Sequence, residues 1–558
     1  MFEQALGKDE RVCQGQYVTD AIGEDYKNWS IWNPALIEAP TGSGKNTFVV
    51  NTLADYAASM NKCVLLLSNR TAISLQQRKA LWKKYYGNYP ISSEDLRRMH
   101  TIGNILLYSY QEVCSYEQEL SNYLIHYVVM DEAHFFFADA RFNAETEKIF
   151  RWLVSGFRNV IRIYMTATPE QIEGAITSYE AEVHRERGKD AIKAFRAFMT
   201  HQDTSNCKLI CYRMKPNYDK ITFQFFREWE TVCDCIAQTF EEEKWIVFVL
   251  NEGEKDVIRR LLIQKKVKTK EIAYVDAERK ESKSYQDIIR KDKFDAQVLI
   301  STIVLDNGIN LVDPKLRNVV IQSYDQISMV QMAGRKRRDR LMTKVYIKVP
   351  SCDELRNYLK AVTDLRHKAE MYVRGTRNIL DDWGELSPQE QKLFSLYKQQ
   401  GEPAVRGVYC NSFALYKLAF DMGALEDLLS CCEDDPEEGF QKRVLEWFHY
   451  TGALKPTLED DPKYKQKATE QLIKEIKKAI EDRKNLTLEE CFAFQDRMGE
   501  TYKKMVGKEM KKGKDRARIC AAISNNMKDI RLPYILKKRR KVEAPQGDRW
   551  YFADERER

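Results

Sequence analysis

A glycine-rich segment near the N-terminus has the residue types that hold a phosphate group. Gly42 and Gly44 allow backbone N–H groups to turn toward an anion, and a helix beginning after them would add partial positive charge. Lys45 then reaches the β- and γ-phosphates of a nucleotide. We therefore predict an ATP-binding loop that consists of Thr41, Gly42, Ser43, Gly44, Lys45, Asn46 and Thr47.

The residue after Lys45 departs from the usual pattern of such loops. Ser or Thr normally stands there and ligates magnesium through its hydroxyl, whereas this chain has Asn46. The carbonyl oxygen of an Asn side chain can also coordinate a hard cation. Thr47 lies one residue further along the predicted helix and so points about 100° away. We predict Asn46 as a magnesium ligand and leave the rate of hydrolysis open.

Two adjacent carboxylates follow an apolar run at residues 127–130. Asp131 and Glu132 would then lie at the carboxyl end of a strand, on the same sheet edge as the phosphate-binding loop. Asp131 can hold magnesium there, and Glu132 can orient and deprotonate an attacking water. The alternative is a solvated acidic strand end, which the upstream glycine-rich loop disfavours.

Two arginines near the middle of the chain are spaced to share one helix face. Arg335 and Arg338 are three residues apart and follow Gln331 and Gly334. Guanidinium groups from one domain can reach a triphosphate held by another and stabilise charge in the transition state. The alternative is an exposed basic helix start. The position of the pair after a second series of apolar strands favours the first interpretation.

These residues need a scaffold of parallel strands, and the chain has apolar runs that suit one. The runs alternate with helical segments, which predicts parallel sheets with helices on both faces. The charged segment 170–205, which includes Glu180 and His184, is predicted as a surface helix or an insertion with a mostly solvated face. The predicted strands are residues 34–38, 62–68, 104–111, 127–130, 160–165, 221–226, 245–250, 271–275, 297–302, 318–321 and 345–349.

Composition and charge limit the class of protein. A chain of 558 residues is too long for one hydrophobic core. The net charge of +7 is mild, and no apolar run approaches the length of about 20 residues that a membrane span needs. The thirteen cysteines are an odd number without framework spacing, which indicates a reducing cytoplasm. We expect a cytoplasmic protein without membrane association.

Taken in order, these segments resemble the helicases of superfamily two, of the DEAH-box type. The ordered series covers roughly residues 35–350 and is a stronger signal than any single motif. The resembling segments are residues 39–47 (motif I), 66–76 (motif Ia), 110–111 (the next motif), 131–134 (motif II), 166–168 (motif III), 246–250 (motif IV), Thr302 with Gly308 (motif V) and 331–338 (motif VI).

The resemblance implies an α/β fold with two tandem RecA-like parallel-sheet domains and ATP with Mg²⁺ between them. It implies a phosphate contact for Lys45, magnesium binding by Asp131 and water activation by Glu132. The other implied roles are transition-state contacts from Gln331, Arg335 and Arg338, coupling of hydrolysis to domain movement by His134, Thr166 and Thr168, and nucleic-acid backbone contacts from Arg70 and Thr302.

The chain departs from the family pattern at several positions. Asn46 replaces the magnesium-ligating Thr, and Met332 replaces the usual Arg after Gln331. Arg337 replaces a Gly, and Asn310 replaces an Asp. No adenine-reading Q motif precedes the loop, which argues against the DEAD-box RNA helicases. The resemblance therefore favours DNA, single-stranded or forked, as the nucleic-acid partner.

The sequence pattern changes after residue 350. Helices are predicted at residues 353–374, 388–400 and 464–484, where apolar residues recur at three- and four-residue spacing. We divide the whole chain into an N-terminal extension 1–34, RecA-like domains 35–205 and 206–350, a mainly helical accessory region 351–500 and a basic nucleic-acid-binding element 501–558.

The basic element has the order helix, strand, turn, strand, which resembles a winged-helix module. The helix is predicted at 516–527 and the strands at 534–542 and 549–552. A solvated basic tail and a localisation-like basic run are the alternatives, but the aromatic residues of the second strand favour an ordered element. Phosphates would be neutralised, in a salt-sensitive and sequence-independent contact, by Lys537, Lys538, Arg539 and Arg540.

Three functions are compatible with these observations. The first is an ATP-driven helicase or translocase in which hydrolysis moves two domains along a strand. The second, prompted by Asn46, is an ATP-dependent clamp or switch with slow turnover. The third is a regulatory subunit whose C-terminal region binds a protein partner. We predict the first.

Overall fold

The structure is a computed structural model of the chain. All thirteen cysteines are free thiols. No helix in the described part of the chain has both the length and the apolar character needed to cross a membrane. The described residues are 5–15, 17–40, 42–69, 75–194, 207–215, 220–275, 285, 288, 293–302, 311–336, 341–398, 406–482, 484–506, 508–539 and 549–555.

Helices and strands alternate through the first part of the chain, and helices dominate after residue 350. The helices are α1 Val18–Ile22, α2 Lys45–Thr47, α3 Ala54–Ser59, α4 Leu75–Tyr86, α5 Ser93–Arg98, α6 Glu117–Leu120, α7 Phe135–Ala138, α8 Thr146–Gly156, α9 Glu173–Ala194, α10 Trp229–Thr239, α11 Glu252–Gln264, α12 Gln326–Ala333, α13 Cys352–Val373, α14 Ile379–Asp382, α15 Pro388–Gln391, α16 Ser412–Asp434, α17 Gly439–Trp447, α18 Pro462–Glu481, α19 Leu488–Val506 and α20 Ile519–Asp529.

The first sheet has eight strands in the order β1-β8-β2-β7-β6-β3-β5-β4. Neighbouring strands are parallel, except that β4 is antiparallel to β5. The central strands are buried along almost their whole length, as expected for a parallel sheet covered by helices on both faces. The strands are β1 Gly7–Cys13, β2 Ala35–Glu38, β3 Cys63–Ser68, β4 Thr101–Ile102, β5 Ile105–Ser109, β6 Ile125–Asp131, β7 Ile161–Thr166 and β8 Lys208–Met214.

The strands β1 and β8 of this sheet were not predicted, and neither was the two-residue strand β4. β8 pairs in parallel with β2, so that Ala35 lies opposite Ile210, and β1 pairs with the other side of β8. The first sheet therefore extends past the boundary that the sequence analysis placed at residue 205. Polar and charged residues interrupt both strands, which removes the continuous apolar run that identifies a buried parallel strand.

The second sheet has six strands in the order β11-β12-β10-β13-β14-β9, and each was predicted. The four pairs from β11 to β14 are parallel. Helix α12 follows β13 and so begins near the carboxyl edge of the sheet. The strands are β9 Ile221–Phe226, β10 Lys244–Phe248, β11 Ile272–Val275, β12 Val298–Ser301, β13 Leu316–Ile321 and β14 Thr343–Lys348.

The solvated face predicted for residues 170–205 is wrong for Glu180. Helix α9 buries Glu180 completely against β7, where both carboxylate oxygens accept hydrogen bonds from Arg162 at 2.6 Å. Tyr164 donates a third hydrogen bond, also of 2.6 Å. A carboxylate can be buried here because a guanidinium group from the adjacent strand neutralises it.

The helix predicted at residues 388–400 is also wrong beyond its first turn. Helix α15 ends at Gln391, and strand β15 (Phe394–Lys398) then pairs antiparallel with β16 (Arg406–Cys410). Phe394 is buried, and aromatic side chains favour the pleated surface of a strand. Helices α13, α16 and α18 agree with the mainly helical character expected after residue 350.

The chain divides into two compact units. The first comprises Met1–Phe223 and Cys233–Leu454, and the second comprises Gln224–Val232 and Lys455–Arg558. The second unit has its own core, in which α18, α19 and α20 pack with the hairpin of β17 (Tyr534–Arg539) and β18 (Arg549–Asp554). Leu486, between α18 and α19, exchanges two backbone hydrogen bonds with Trp550 of β18. The element order is therefore helix, short strand, two helices and hairpin.

Candidate nucleotide-binding site

The glycine-rich loop connects β2 to α2, as the sequence predicted. Gly42 and Gly44 have φ angles of 83° and 82°, in the left-handed region that glycine adopts readily. A Cβ atom at Gly44 would also lie 3.4 Å from the Tyr17 ring. Residues Phe48–Leu53 continue the helix in a wider π-helical form before α3. Thr41, predicted in this loop, lies outside the described residues.

Lys45 is buried at the first position of α2. Its ammonium group donates a 2.9 Å hydrogen bond to the carbonyl of Ala39 and lies 3.9 Å from a carboxylate oxygen of Glu132. A buried ammonium group is costly unless it is paired. Lys45 is therefore held across the loop in the place where a polyphosphate could replace the backbone carbonyl as its partner.

Asp131 and Glu132 stand at the end of β6, on the same sheet edge as the loop. Glu132 has a φ of 54°, a strained conformation for a residue with a side chain. The backbone N–H of Ala133 donates a 2.9 Å hydrogen bond to Met165 on β7, which holds this turn in place. Tyr110 donates a 2.7 Å hydrogen bond to the carbonyl of Asp131.

The two carboxylates have opposite electrostatic surroundings. Burial, followed by the Glu132 charge, raises the pKa of Asp131 to about 7. Burial acts in the same direction on Glu132, but Lys45, His134 and Arg335 hold the pKa of Glu132 below its ordinary value. Glu132 therefore retains its charge, and Asp131 faces excess negative charge that a cation would offset.

His134 links the two strand ends of the site. Its Nδ1 atom lies 3.4 Å from Glu132 and 3.0 Å from the hydroxyl of Thr166. The same hydroxyl accepts a 3.0 Å hydrogen bond from the backbone N–H of Thr168. Burial lowers the pKa of His134 to about 4, so the ring is neutral near pH 7. A continuous polar chain thus runs from Glu132 to the predicted coupling residues.

Arg335, which follows α12, contributes positive charge to the surroundings of Glu132. It is buried, and its positive charge acts to lower the pKa values of both Glu132 and His134. Its guanidinium donates hydrogen bonds of 3.0 and 2.5 Å to the carbonyl and side-chain oxygens of Gln331 on α12. Arg338 lies outside the described residues.

The oxygen donors beside the loop fit a magnesium ion. Asn46 Oδ1 is buried and accepts no hydrogen bond within the described part of the chain. Such an orphaned carbonyl oxygen needs a partner, and Mg²⁺ prefers oxygen ligands. Asn46 and Asp131 both line the cavity at the loop, so the donor set matches the predicted ligands.

The cavity at the loop has a volume of about 500 Å³ and includes residues that the sequence analysis did not assign. Tyr17 is half exposed beside Gly44, and the N–H of Val18 donates a 2.9 Å hydrogen bond to the carbonyl of Ser43. The aromatic side chain near the loop was the available signal. The lining residues are Tyr17, Thr19, Asp20, Gly42, Gly44, Lys45, Asn46, Thr47, Asp131 and Glu132.

The predicted nucleic-acid contacts are only partly described. Thr302 follows β12, where its N–H donates a 3.3 Å hydrogen bond to Val275. Lys537 and Lys538 lie on β17, and the Lys538 ammonium is 5.9 Å from the centre of the Trp550 ring. Arg539 ends the same strand. Arg70, Gly308, Asn310, Arg337 and Arg540 lie outside the described residues.

The second unit exposes further basic residues that were not assigned individually. They lie before α20 and along it, and they are Lys508, Lys511, Lys512, Lys514, Arg516, Arg518 and Lys528.

Comparison with known proteins gives one family match. Residues 14–171 match the family described as "Type III restriction enzyme, res subunit". No curated protein matches the chain. The solved structure "S. cerevisiae Dbp5 bound to RNA and ADP BeF3" is 13% identical, with 57% of this chain and 80% of that chain covered at a TM-score of 0.37. "DEAD-box helicase Mss116 bound to ssRNA and UDP-BeF" is 12% identical, with 75% of this chain and 94% of that chain covered at a TM-score of 0.40. The family match covers the glycine-rich loop and the two carboxylates.

Proposed function

We propose that this protein is an ATP-dependent helicase or translocase of superfamily two, of the DEAH-box type, that acts on nucleic acid. One observation carries the proposal. The Lys45 ammonium lies 3.9 Å from Glu132, and the positive charge of Arg335, which follows α12, also acts to lower the pKa of that carboxyl group. ATP hydrolysis by a two-sheet core needs this arrangement of a phosphate-binding lysine, a charged general base and an arginine.

Each side chain has a distinct part in the proposed reaction. Lys45 and the loop N–H groups bind the triphosphate, and Asn46 and Asp131 would hold magnesium, which neutralises charge on the phosphates. Glu132 orients and accepts a proton from the attacking water. Arg335 stabilises the charge that develops on the transferred phosphoryl group. Gln331 fixes the Arg335 guanidinium through its side-chain oxygen.

Coupling to movement would use the polar chain that begins at Glu132. A change of charge or position at Glu132 would affect His134, whose ring contacts the hydroxyl of Thr166. The Thr166 hydroxyl also accepts the hydrogen bond from the backbone N–H of Thr168, so the change would extend to that residue. Both threonines are buried, and within the described part of the chain the hydroxyl of Thr168 has no hydrogen-bond partner. Loss of the γ-phosphate would thus alter hydrogen bonds at the end of β7.

The base of the nucleotide would lie against Tyr17. The ring is half exposed at the rim of the cavity, next to the backbone of Gly44. Aromatic stacking reads no specific base edge, which accords with the lack of an adenine-reading Q motif. Thr19 and Asp20 line the same rim and offer polar contacts.

The second unit is the proposed nucleic-acid-binding element, and DNA is the proposed partner. Its helices and hairpin follow the order of a winged-helix module, and exposed lysines and arginines precede α20 and continue along it. Positive side chains on such an element contact phosphates without reading sequence. Single-stranded or forked DNA is the substrate expected for the motor reaction.

An ATPase assay tests this function. The full chain is incubated with ATP and Mg²⁺, alone and with single-stranded, duplex or forked DNA or RNA. Stimulation by DNA that is lost in Lys45→Ala supports the proposal. Equal rates with and without every polymer contradict it, and stimulation by RNA alone contradicts the choice of DNA.

A second candidate function rests on Asn46. Its buried Oδ1, which accepts no hydrogen bond from the described residues, is an amide ligand where a hydroxyl usually stands, and such a site could bind ATP but turn it over slowly. The protein would then act as an ATP-dependent clamp on nucleic acid. The variant Asn46→Thr separates the two candidates: faster hydrolysis in the variant favours the clamp, whereas a parent at least as fast favours the motor.

A further inference from the structure

A buried network of charged residues connects the accessory helix α16 to the second sheet. Lys417 of α16 is 3% exposed, and its ammonium donates hydrogen bonds to Asp325 and, at 2.6 Å, to Asp421. Arg141, three residues after α7, donates a 3.2 Å hydrogen bond to the second oxygen of Asp421. All four residues belong to the first compact unit.

These charges depend on one another because they are out of water. Burial opposes the charge of Lys417, but Asp325 and Asp421 raise the pKa of Lys417 above its ordinary value. Burial likewise acts against ionised Asp325, yet Lys417 holds the pKa of Asp325 below its ordinary value. Removal of one partner leaves an uncompensated buried charge, so the geometry between α16 and Asp325 is tightly restricted.

The start of α16 is fixed to the first sheet's helices. The ring of Phe413 stacks on Phe137 of α7 with centroids 4.5 Å apart. The amide of Asn411 donates hydrogen bonds to the carbonyl of Asn143 at 3.0 Å and to the hydroxyl of Thr146 at 2.9 Å. α7 follows directly after His134, so α16 packs against the segment that carries the carboxylates.

At its other end, the network contacts the first turn of α12, the helix that precedes Arg335. Asp325 is the N-cap of α12, and its second oxygen accepts a 2.8 Å hydrogen bond from the N–H of Ser328. The last turn of α12 carries Gln331, which holds Arg335 through two hydrogen bonds. Lys417 therefore pairs with the N-cap residue of a helix whose last turn holds the Arg335 guanidinium.

We propose that Lys417 is a positioning residue of the ATP site, and that α16 fixes the arginine-bearing helix α12 relative to the carboxylates of the first sheet. The inference rests on the proposed ATPase function. A displacement of about 1 Å at a catalytic group can lower a rate about 100-fold. A shift of the first turn of α12 would also move its last turn, where the Arg335 guanidinium is held. Lys417 touches neither nucleotide nor water in this role; it acts through Asp325.

The main variant is Lys417→Met, which keeps the length of the side chain and removes its charge. It leaves the buried Asp325 carboxylate without its lysine partner, so α12 should be less well positioned. We therefore expect kcat for the nucleic-acid-stimulated ATPase to fall about 10- to 100-fold. The affinity for ATP, measured with a fluorescent analogue, should stay close to that of the parent because the loop is intact. Lys417→Arg should restore part of kcat because it keeps a charge opposite Asp325.

Two control variants separate positioning from loss of stability. Asp421→Asn also removes a buried partner from Lys417 but leaves the contact with Asp325, so it should retain most of kcat. Glu433→Gln, also on α16, removes an exposed ion pair with Arg356 of α13 and should change neither kcat nor stability. Equal losses of kcat in Lys417→Met and Asp421→Asn would overturn the proposal.

Hydrogen–deuterium exchange of the full chain gives a readout that does not need turnover. Lys417→Met should increase exchange at the amides of α12 while leaving those of β6 protected. Unchanged exchange at α12 would overturn the positioning role even if kcat falls. A parent without ATPase activity would instead contradict the proposed function, and the exchange result would still decide whether Lys417 holds α12.

Discussion

Removal of Arg162 should destabilise the first sheet strongly. Its guanidinium is fully buried on β7 and forms two 2.6 Å hydrogen bonds with Glu180, and it also donates to the carbonyls of Phe157, Arg158 and Val160 at 3.0, 3.1 and 2.8 Å. In Arg162→Met the Glu180 carboxylate loses its guanidinium partner and keeps the hydrogen bond from the hydroxyl of Tyr164.

The expected magnitude follows from this loss of partners. Breaking a buried ion pair on one side costs about 3–5 kcal/mol. For a domain of this size each kcal/mol lowers the melting temperature by about 2–4 °C, so the transition should fall by about 10 °C. The double variant Arg162→Met with Glu180→Leu should recover most of the loss, because it leaves no unpaired charge.

The pH dependence gives this prediction a second test. Burial acts to raise the pKa of Glu180, but Arg162 holds it below the ordinary value of 4.5. In the parent the pair therefore stabilises fully above that value, and the contribution is lost as the pH falls through the depressed folded pKa. In Arg162→Met the unpaired Glu180 has a raised pKa, so protonation removes the buried charge. The difference in stability between parent and variant should therefore shrink as the pH falls.

Differential scanning calorimetry of the full chain measures the effect, and hydrogen exchange at β7 assigns the transition. The control is Arg151→Met, because Arg151 pairs with Glu147 from a half-exposed position at 3.4 Å and should contribute about 0–1 kcal/mol. A shift for Arg162→Met no larger than that of the control would refute the reasoning. So would a double variant that is less stable than Arg162→Met alone.

Three further predictions concern the proposed activity. Glu132→Gln should keep ATP affinity but lower kcat by about 10²–10⁴, measured by single-turnover hydrolysis, because it removes the proton acceptor; an unchanged rate would contradict the role. Tyr17→Ala should raise KM for ATP about 2- to 10-fold with kcat retained, because one aromatic contact of about 0.5–1.5 kcal/mol is lost; an altered kcat at constant KM would argue against base stacking. Charge removal at Lys511 and Lys514 should reduce the slope of log affinity against log salt by about 1.4, because each lysine neutralises about one phosphate and each phosphate of a single strand contributes about 0.7. Fluorescence anisotropy with single-stranded DNA measures the slope, and exposed Lys360 of α13, mutated in the same way, is the control.

The strands that carry the site could be predicted because their signal is local. β2, β3, β6 and β7 are short apolar runs, and a parallel sheet covered on both faces requires such runs. Their polar ends then meet at one sheet edge, which brought Lys45 and Asp131 together in the prediction. The same reasoning could not find β1 and β8, because charged residues such as Arg213 interrupt them and form ion pairs that only the folded sheet brings together.

Charged residues with distant partners could not be predicted either. Glu180 was expected in solvent because a carboxylate in a charged helix usually lies there, and its partner Arg162 is on a different element. Lys417 is separated from Asp325 by 92 residues, so no local spacing indicates the pair. Sequence patterns within one element show which face is apolar, but they do not show which buried charge another element neutralises.

The buried network at α16 bears on the choice between motor and clamp. Slow turnover could arise from a poorly positioned arginine or from a poor set of magnesium ligands. The Arg335 charge acts to lower the pKa of Glu132, and Lys417 pairs with the N-cap residue of α12, so the proposal has the arginine side of the site already in place. A low rate would then have to come from Asn46, whose neutral oxygen replaces a hydroxyl ligand. The two variants therefore report on separate causes: Asn46→Thr would accelerate a clamp, whereas Lys417→Met would slow either enzyme.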